Sequence, residues 1–187
     1  MSKYLGFTII EVLVSLAILL SLITIGIPSL DNFIIHMRVD NEISAMHRML
    51  LLARNSAINN ELYVTFCPLD NDNKCTTDWG KKLTVFKDIN KNRRYEINIG
   101  ESIIKIKSAI NPNDKLQYGK GRNALVYGPT GHLVIWGGNA TFKYCPKSHE
   151  NKSRGLVIST SGRVYETAYN AKRAQDTNRS GKIIVCH

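Results

Sequence analysis

Glu11 places a carboxylate inside an apolar run that lasts from Phe7 to Ile27. A charge near the centre of a bilayer costs about 2.5–3.5 kcal/mol on insertion scales, so a retained one reads as functional. Pairing with a cation removes most of that cost. At about 1.5 Å per helical residue, a run of this length crosses a hydrocarbon core of about 30 Å. The second chemistry is cationic. Arg163, Lys172, Arg173, Arg179 and Lys182 follow one another near the C-terminus with Tyr165 and Tyr169 interleaved, and Lys120, Arg122, Lys143 and Lys147 extend the set. Lys and Arg engage phosphates, and aromatic rings stack on exposed bases.

Other chemistry finds little support. His36, His47, His132, His149 and His187 sit in unrelated contexts, with no serine, cysteine or carboxylate beside them in a known arrangement. No phosphate-binding loop or dinucleotide fingerprint is present, so the chain reads as a non-enzyme without a cofactor. Asp88, Asn90 and Asn92, with Glu96 and Glu101 beyond, have the alternate spacing of a calcium loop. Arg93 occupies the position of its glycine and Ile99 that of its terminal glutamate, and Arg93 and Arg94 repel a cation. A polar turn is the reading there, with no metal. Asp70–Asn73 reads as a turn as well.

Cys67, Cys75, Cys145 and Cys186 lack zinc spacing. An even number beyond an apolar segment implies disulfides in an oxidising compartment, with three pairings open. The net charge of +10 is uneven. Eleven Lys/Arg face three carboxylates between 120 and 187, and eight face three between 81 and 107. That excess favours polyanions, although a solvated basic face carries the same composition.

The elements that must position these groups begin with one long helix from Phe7 to about Asn59, kinked at Gly26-Ile27-Pro28. Its first half is apolar all round. Beyond the kink, Leu30, Phe33, Ile34, Met37, Met46, Met49, Leu50, Ala53 and Ala57 recur at helical spacing, opposite Arg38, Asp40, Glu42, Arg48 and Arg54. Strands are predicted at 62–66, 83–86, 102–106, 124–127, 133–136, 140–144, 155–159 and 183–185, separated by Gly/Asn/Pro turns. One helix followed by strands argues an α+β domain with antiparallel sheet against the helix.

The leader Met1-Ser2-Lys3-Tyr4-Leu5-Gly6 followed by Phe7-Thr8-Ile9-Ile10-Glu11 resembles the prepilin signal of type IV pilins and type II secretion pseudopilins. An ordinary secretory signal is cut after its apolar core, and no A-x-A-like site follows this one. The body resembles the GspH/FimT branch of minor pilins and minor pseudopilins, including its FimU-like members. The matching stretches are Ala53–Ile58, Val64–Pro68, Cys75, Trp79-Gly80, Val85–Asn90, Gly100-Glu101, Thr141–Cys145 and Gly155–Arg163, in order along most of the chain.

That resemblance implies the type IV pilin fold: a long N-terminal helix, membrane-spanning in its first half, packed on an antiparallel β-sheet head. It implies a leader at 1–6 cut after Gly6 by a prepilin peptidase, methylation of Phe7, a transmembrane segment at 7–28 and an α+β head at 29–187. Glu11 becomes the carboxylate that pairs with a neighbouring subunit's N-terminal ammonium during assembly. Lys3 fits a cytoplasmic N-terminus with the head outside. The implied place is the bacterial inner membrane and then the pilus at the cell surface, with other minor pilins and the major pilin as partners. Proximity and the resemblance together favour Cys67–Cys75 with Cys145–Cys186.

DNA-binding members of the FimT group use a Gly-Arg-x-Arg motif and a flexible basic tail on double-stranded DNA during natural transformation. Gly162 and Arg163 match that motif, and Tyr165 stands where its second arginine would be. The resulting expectation is a minor pilin at or near a pilus tip, with DNA contact through the basic C-terminal loop. The alternatives are a tip connector that does not bind DNA and a type II secretion minor pseudopilin.

Overall fold

The computed structural model describes residue 6 and residues 8–119, 121–134 and 140–186, without the side chains of residues 25, 28 and 29. Residues 1–5 of the leader, Phe7, Lys120, the end of the strand predicted at 133–136 and His187 lie outside these residues. The chain forms two units, one ending at Arg38 and one covering Val39–His187.

The first element is α1, Ile9–Asn60, 52 residues long. The helical run continues through 26–28, where the sequence predicts a kink. In the first unit its described apolar side chains are exposed on all sides from Ile9 to Ile34, and Ile35 is buried. Leu30, Phe33, Ile34 and Met37, expected in the packing stripe, are exposed as well. In the second unit the buried stripe is Val39, Ile43, Met46, Met49, Leu50, Ala53 and Ala57. Steps of three and four keep these residues on one helical face.

The strands are β1 (Val64–Pro68), β2 (Leu83–Lys87), β3 (Ile103–Lys107), β4 (Lys115–Tyr118), β5 (Leu125–Tyr127), β6 (Ala140–Cys145), β7 (Arg154–Ile158), β8 (Val164–Glu166), β9 (Ala168–Asn170) and β10 (Gln175–Thr177). They form an antiparallel sheet β3-β2-β1-β5, a second antiparallel sheet β4-β6-β7-β8, and the hairpin β9–β10. The α+β pilin architecture expected from the sequence is thus present.

β1 is buried at every position, whereas β6 alternates buried Ala140, Phe142 and Tyr144 with half-buried Thr141 and Lys143. The two main sheets meet in an aromatic cluster. Trp79 lies 4.9 Å from Tyr118 and 5.0 Å from Phe142, Phe66 lies 5.9 Å from both Trp79 and Phe142, and Tyr118 stacks on Phe142 at 4.2 Å. Such offset and edge-on pairs favour one arrangement over a merely apolar core.

Two disulfides close the head, Cys67–Cys75 across 8 residues of sequence and Cys145–Cys186 across 41. The strand predicted at 183–185 is reduced to one bridge, Thr177 with Ile183. At 133–134 there is a bridge from Leu133 to Tyr127 and a hydrogen bond from Val134 N–H to the Val126 carbonyl.

Candidate functional site

Two regions carry the candidate chemistry. The first is the start of α1. Thr8 opens the helix: its carbonyl accepts the N–H of Glu11 at 3.1 Å and of Val12 at 3.2 Å, and its hydroxyl accepts Glu11 N–H at 3.4 Å. Glu11 is exposed and has no partner among the described residues. Around it Ile9, Ile10, Val12, Leu13 and Val14 are exposed apolar groups. Ser15, Ser21 and Thr24 donate their hydroxyls to carbonyls one turn back, at 2.8–3.0 Å. Internally satisfied hydroxyls leave this surface with little polar demand apart from Glu11. Gly6 is described and exposed, but the bond after it involves Phe7, which lies outside the described residues. Among the described residues, no helix is long and apolar enough to cross a membrane.

The second region is the basic C-terminal stretch. The turn before β8 is held by Ser159, whose carbonyl accepts Gly162 N–H at 2.8 Å and whose hydroxyl accepts Arg163 N–H at 3.2 Å. Gly162 has φ +77°, and a Cβ there would sit 1.9 Å from the Gly131 carbonyl oxygen. Arg54 fixes the same junction, donating Nε to Gly131 O at 3.1 Å and an Nη to Ser161 O at 3.3 Å. Gly162 is therefore explained by packing alone, without any DNA role.

Arg163, Lys172, Arg173 and Lys182 are exposed, with no carboxylate partner among the described residues. The Arg179 guanidinium stacks 4.1 Å above the Tyr165 ring. That contact returns a cation to the place where the sequence lacks an arginine. The tail is not the adaptable segment that its Asn-Arg-Ser-Gly composition suggests. Asn178 Oδ1 accepts Ser180 and Lys182 N–H at 3.1 and 2.9 Å, Lys172 lies in the β9–β10 turn, and Cys186 is bridged to Cys145.

Of the remaining basic residues, Lys120 lies outside the described residues, and Arg122 and Lys143 are half-buried. Lys143 donates to the Val185 carbonyl at 2.8 Å, and burial, with nearby Lys182, holds its ammonium below the ordinary lysine range. Arg122 is half-buried, its guanidinium 5.8 Å from the Tyr118 ring centre and its carbonyl accepting Trp79 Nε1 at 2.8 Å. Lys147 is exposed, with Nζ 3.4 Å from Asn113 Oδ1.

The polar face predicted for the second half of α1 is also redistributed. Asp40 pairs with Arg154, which reaches Asp176 at 3.4 Å, and Glu42 pairs with Lys107. Asp176 Oδ2 accepts the Thr167 hydroxyl at 2.8 Å. These partners lie far apart in sequence, and no local spacing announces them.

In the loop after β2, Asp88 Oδ2 accepts the Thr65 hydroxyl at 2.6 Å and Arg93 N–H at 3.1 Å, and Glu101 accepts Ile89 and Glu96 N–H at 2.9 and 2.8 Å. Both Glu101 oxygens and Asp88 Oδ2 are spent on the loop's own backbone and on Thr65, while Asp88 Oδ1 is buried without a hydrogen-bond partner among the described residues. No group of three His, Cys, Asp or Glu among the described residues could hold a metal.

Comparison with known proteins covers both regions. Residues 42–162 match the family model of the type II transport protein GspH, and residues 1–27 match the prokaryotic N-terminal methylation motif. The type IV minor pilin FimU of Pseudomonas aeruginosa PAO1 superposes with a TM-score of 0.59 at 17% identity, over 78% of this chain and 96% of that one. A second crystal form of FimU gives 0.54 at 18%, over 72% and 93%. The minor pseudopilin EpsH from the type 2 secretion system of Vibrio cholerae gives 0.48 at 15%, over 70% and 97%. No curated protein sequence matches. With a pilin-like fold, a methylation motif at its start and the family model spanning most of its head, the chain belongs to the GspH family.

Proposed function

We propose that this protein is a minor pilin of a type IV pilus, assembled at or near the tip. It is made as a precursor, cut after Gly6 by a prepilin peptidase, methylated on Phe7 and held in the inner membrane by residues 7–28, with residues 29–187 as its periplasmic head. The observation that carries the reading is Glu11, a lone carboxylate without a described partner in a stretch of helix whose described apolar side chains are exposed all round from Ile9 to Ile34. Such a surface needs an apolar environment, and such a carboxylate needs a cation brought by another chain. A neighbouring subunit's N-terminal ammonium supplies one. The role needs no catalytic group and no cofactor. The test is complementation of a deletion strain with Glu11→Ala, following fibre incorporation and membrane retention by immunoblot. Loss of incorporation with retained membrane protein supports the reading; normal incorporation overturns it.

DNA contact is a second reading, favoured by the exposed set Arg163, Lys172, Arg173 and Lys182, by Arg179 on Tyr165, and by Tyr169, which is 66% exposed. Double-stranded DNA held by such residues dissociates as salt rises. Titration of the detergent-solubilised full chain with duplex DNA tests this at low and near-physiological salt, beside a variant neutralised at 163, 172, 173 and 179. No binding at low salt leaves a structural tip connector. The GspH family model and the pseudopilin neighbour keep a type II secretion role as the alternative. A secretion defect with intact pili in the deletion strain would favour it.

A further inference from the structure

The sheet β3-β2-β1-β5 ends at β3, whose outer edge has no strand partner among the described residues. The segment that contains it also carries several exposed isoleucines. Ile89 is 41% exposed, Ile97 70%, Ile99 46%, Ile103 39% and Ile106 51%. An exposed apolar edge invites pairing unless the chain guards against it.

The register shows how the edge is built. Ile103 lies opposite Phe86 and Lys105 opposite Val85, so Ile104 is the extra residue of a bulge; Ile106 then faces Thr84 and Lys107 faces Leu83. A bulge shifts the side-chain alternation. Ile103 and Ile106 therefore share one face of the sheet, and Lys105 and Lys107 share the other. Lys107 is committed to Glu42 of α1, whereas Lys105 is exposed with no ion-pair partner among the described residues.

A second copy fits this edge poorly. Pairing parallel in register or antiparallel about Ile106 places lysine against lysine, and antiparallel pairing of Ile103 with Ile106 sets Lys105 against Ile104 and leaves it without a counter-charge. Like charges directly opposite destabilise a pair of strands. A strand with apolar residues opposite Ile103 and Ile106 and a carboxylate opposite Lys105 satisfies both faces, Lys107 being already paired with Glu42. We propose that the β3 edge is a docking site for an extended segment of a partner protein that alternates apolar and acidic residues, added as a further strand of the sheet. Backbone hydrogen bonds would supply affinity and Lys105 the choice of partner. This inference does not rest on the pilin reading, because Glu11 and β3 are tested by separate readouts.

The probe is a capped, fluorescein-labelled peptide of about ten alternating valine and glutamate residues, the length of a long strand. Its twin carries lysine in place of glutamate, and two further forms are N-methylated along one backbone edge or the other. Fluorescence anisotropy with the full chain in detergent micelles reads binding. The glutamate peptide should bind about tenfold or more tighter than the lysine twin, and Lys105→Glu should reverse that preference. One of the two N-methylated forms should lose binding and the other keep it. Lys105 is exposed, and an unchanged thermal melt checks that its variant folds. Equal binding of the twins, indifference to Lys105→Glu, retention by both N-methylated forms, or no saturable binding up to about 1 mM would each overturn the proposal.

Discussion

The two stretches of α1 obey the same helical geometry in different surroundings. Before Arg38 every turn exposes leucine, isoleucine or valine, and its one carboxylate within the apolar run, Glu11, lacks a described partner. After Val39 one stripe of apolar residues is buried, with Leu51, Leu52 and Ile58 left outside it, and Asp40, Glu42 and Arg54 each engage the head. The first stretch depends on surroundings that the chain does not provide. The second depends on long-range contacts, two disulfides and a glycine junction within its own unit. Changes in the first should therefore alter assembly and leave head stability untouched, and changes in the second should do the reverse.

The largest effect tests the first half of that contrast. Glu11→Ala should remove the proposed intersubunit ion pair, weakening incorporation by about 3–5 kcal/mol, hundreds-fold or more. The thermal melt of the head should not move. A shifted melt would mean that Glu11 serves the fold and would erase the contrast.

The disulfides test the second half. A crosslink restricts the unfolded chain more as its loop lengthens. Replacing Cys145 and Cys186 with serine should cost about 4 kcal/mol, and replacing Cys67 and Cys75 about 2.5 kcal/mol, on chain-entropy grounds. Urea unfolding under non-reducing conditions measures both. Equal losses would point to native-state packing around each bridge in place of loop entropy.

A smaller loss is expected from Gly162→Ala. Its positive φ and the Gly131 oxygen 1.9 Å from the added Cβ force the two turns apart, at a cost of about 2–3 kcal/mol. Arg163→Ala, one residue on and exposed, should leave stability within about 0.5 kcal/mol. If the DNA reading holds, it is the variant at 163 that weakens DNA binding. A Gly162→Ala protein with an unchanged melt would reopen a functional reading of that glycine.

The sequence disclosed what is local. The helix, its apolar first half and most strands follow from periodicity and turn residues, and Glu11 is conspicuous because its neighbours are apolar. β4, β8, β9 and β10 escaped because each has only three or four residues, and Gln175 and Asp176 look like loop. Asp176 is tolerated inside only because Thr167 and Arg154 meet it there. The stripe in α1 was begun too early, at Leu30, since Leu30, Phe33, Ile34 and Met37 are exposed and the buried face runs instead through Ile35, Val39 and Ile43. Composition likewise does not distinguish Lys172 in an exposed turn from Lys143 tied to Val185.

The finest test of how the head depends on its own contacts lies in the loop between β2 and β3, where two glutamates are shifted in opposite directions. Hydrogen bonds from Asn90, then Asn92, with Arg94 nearby, hold Glu96 below the ordinary glutamate range. Burial pushes Glu101 above it, against the two N–H groups that it accepts and with the charges of Asp88 and Glu96 adding to the rise. The depressed Glu96 contributes stability that is present above its unfolded pKa and lost as pH falls through its folded value. The raised Glu101 does the opposite: its contribution is full below the unfolded pKa and lost as pH rises through the folded one. Carboxyl-carbon NMR titration of the full chain in micelles should place the two midpoints on opposite sides of the ordinary value, and Glu101→Gln should remove only the loss at rising pH. Coincident midpoints would mean that solvent, and not the loop's own hydrogen bonds and burial, sets both carboxylates, and that this part of the head is less self-contained than its contacts imply.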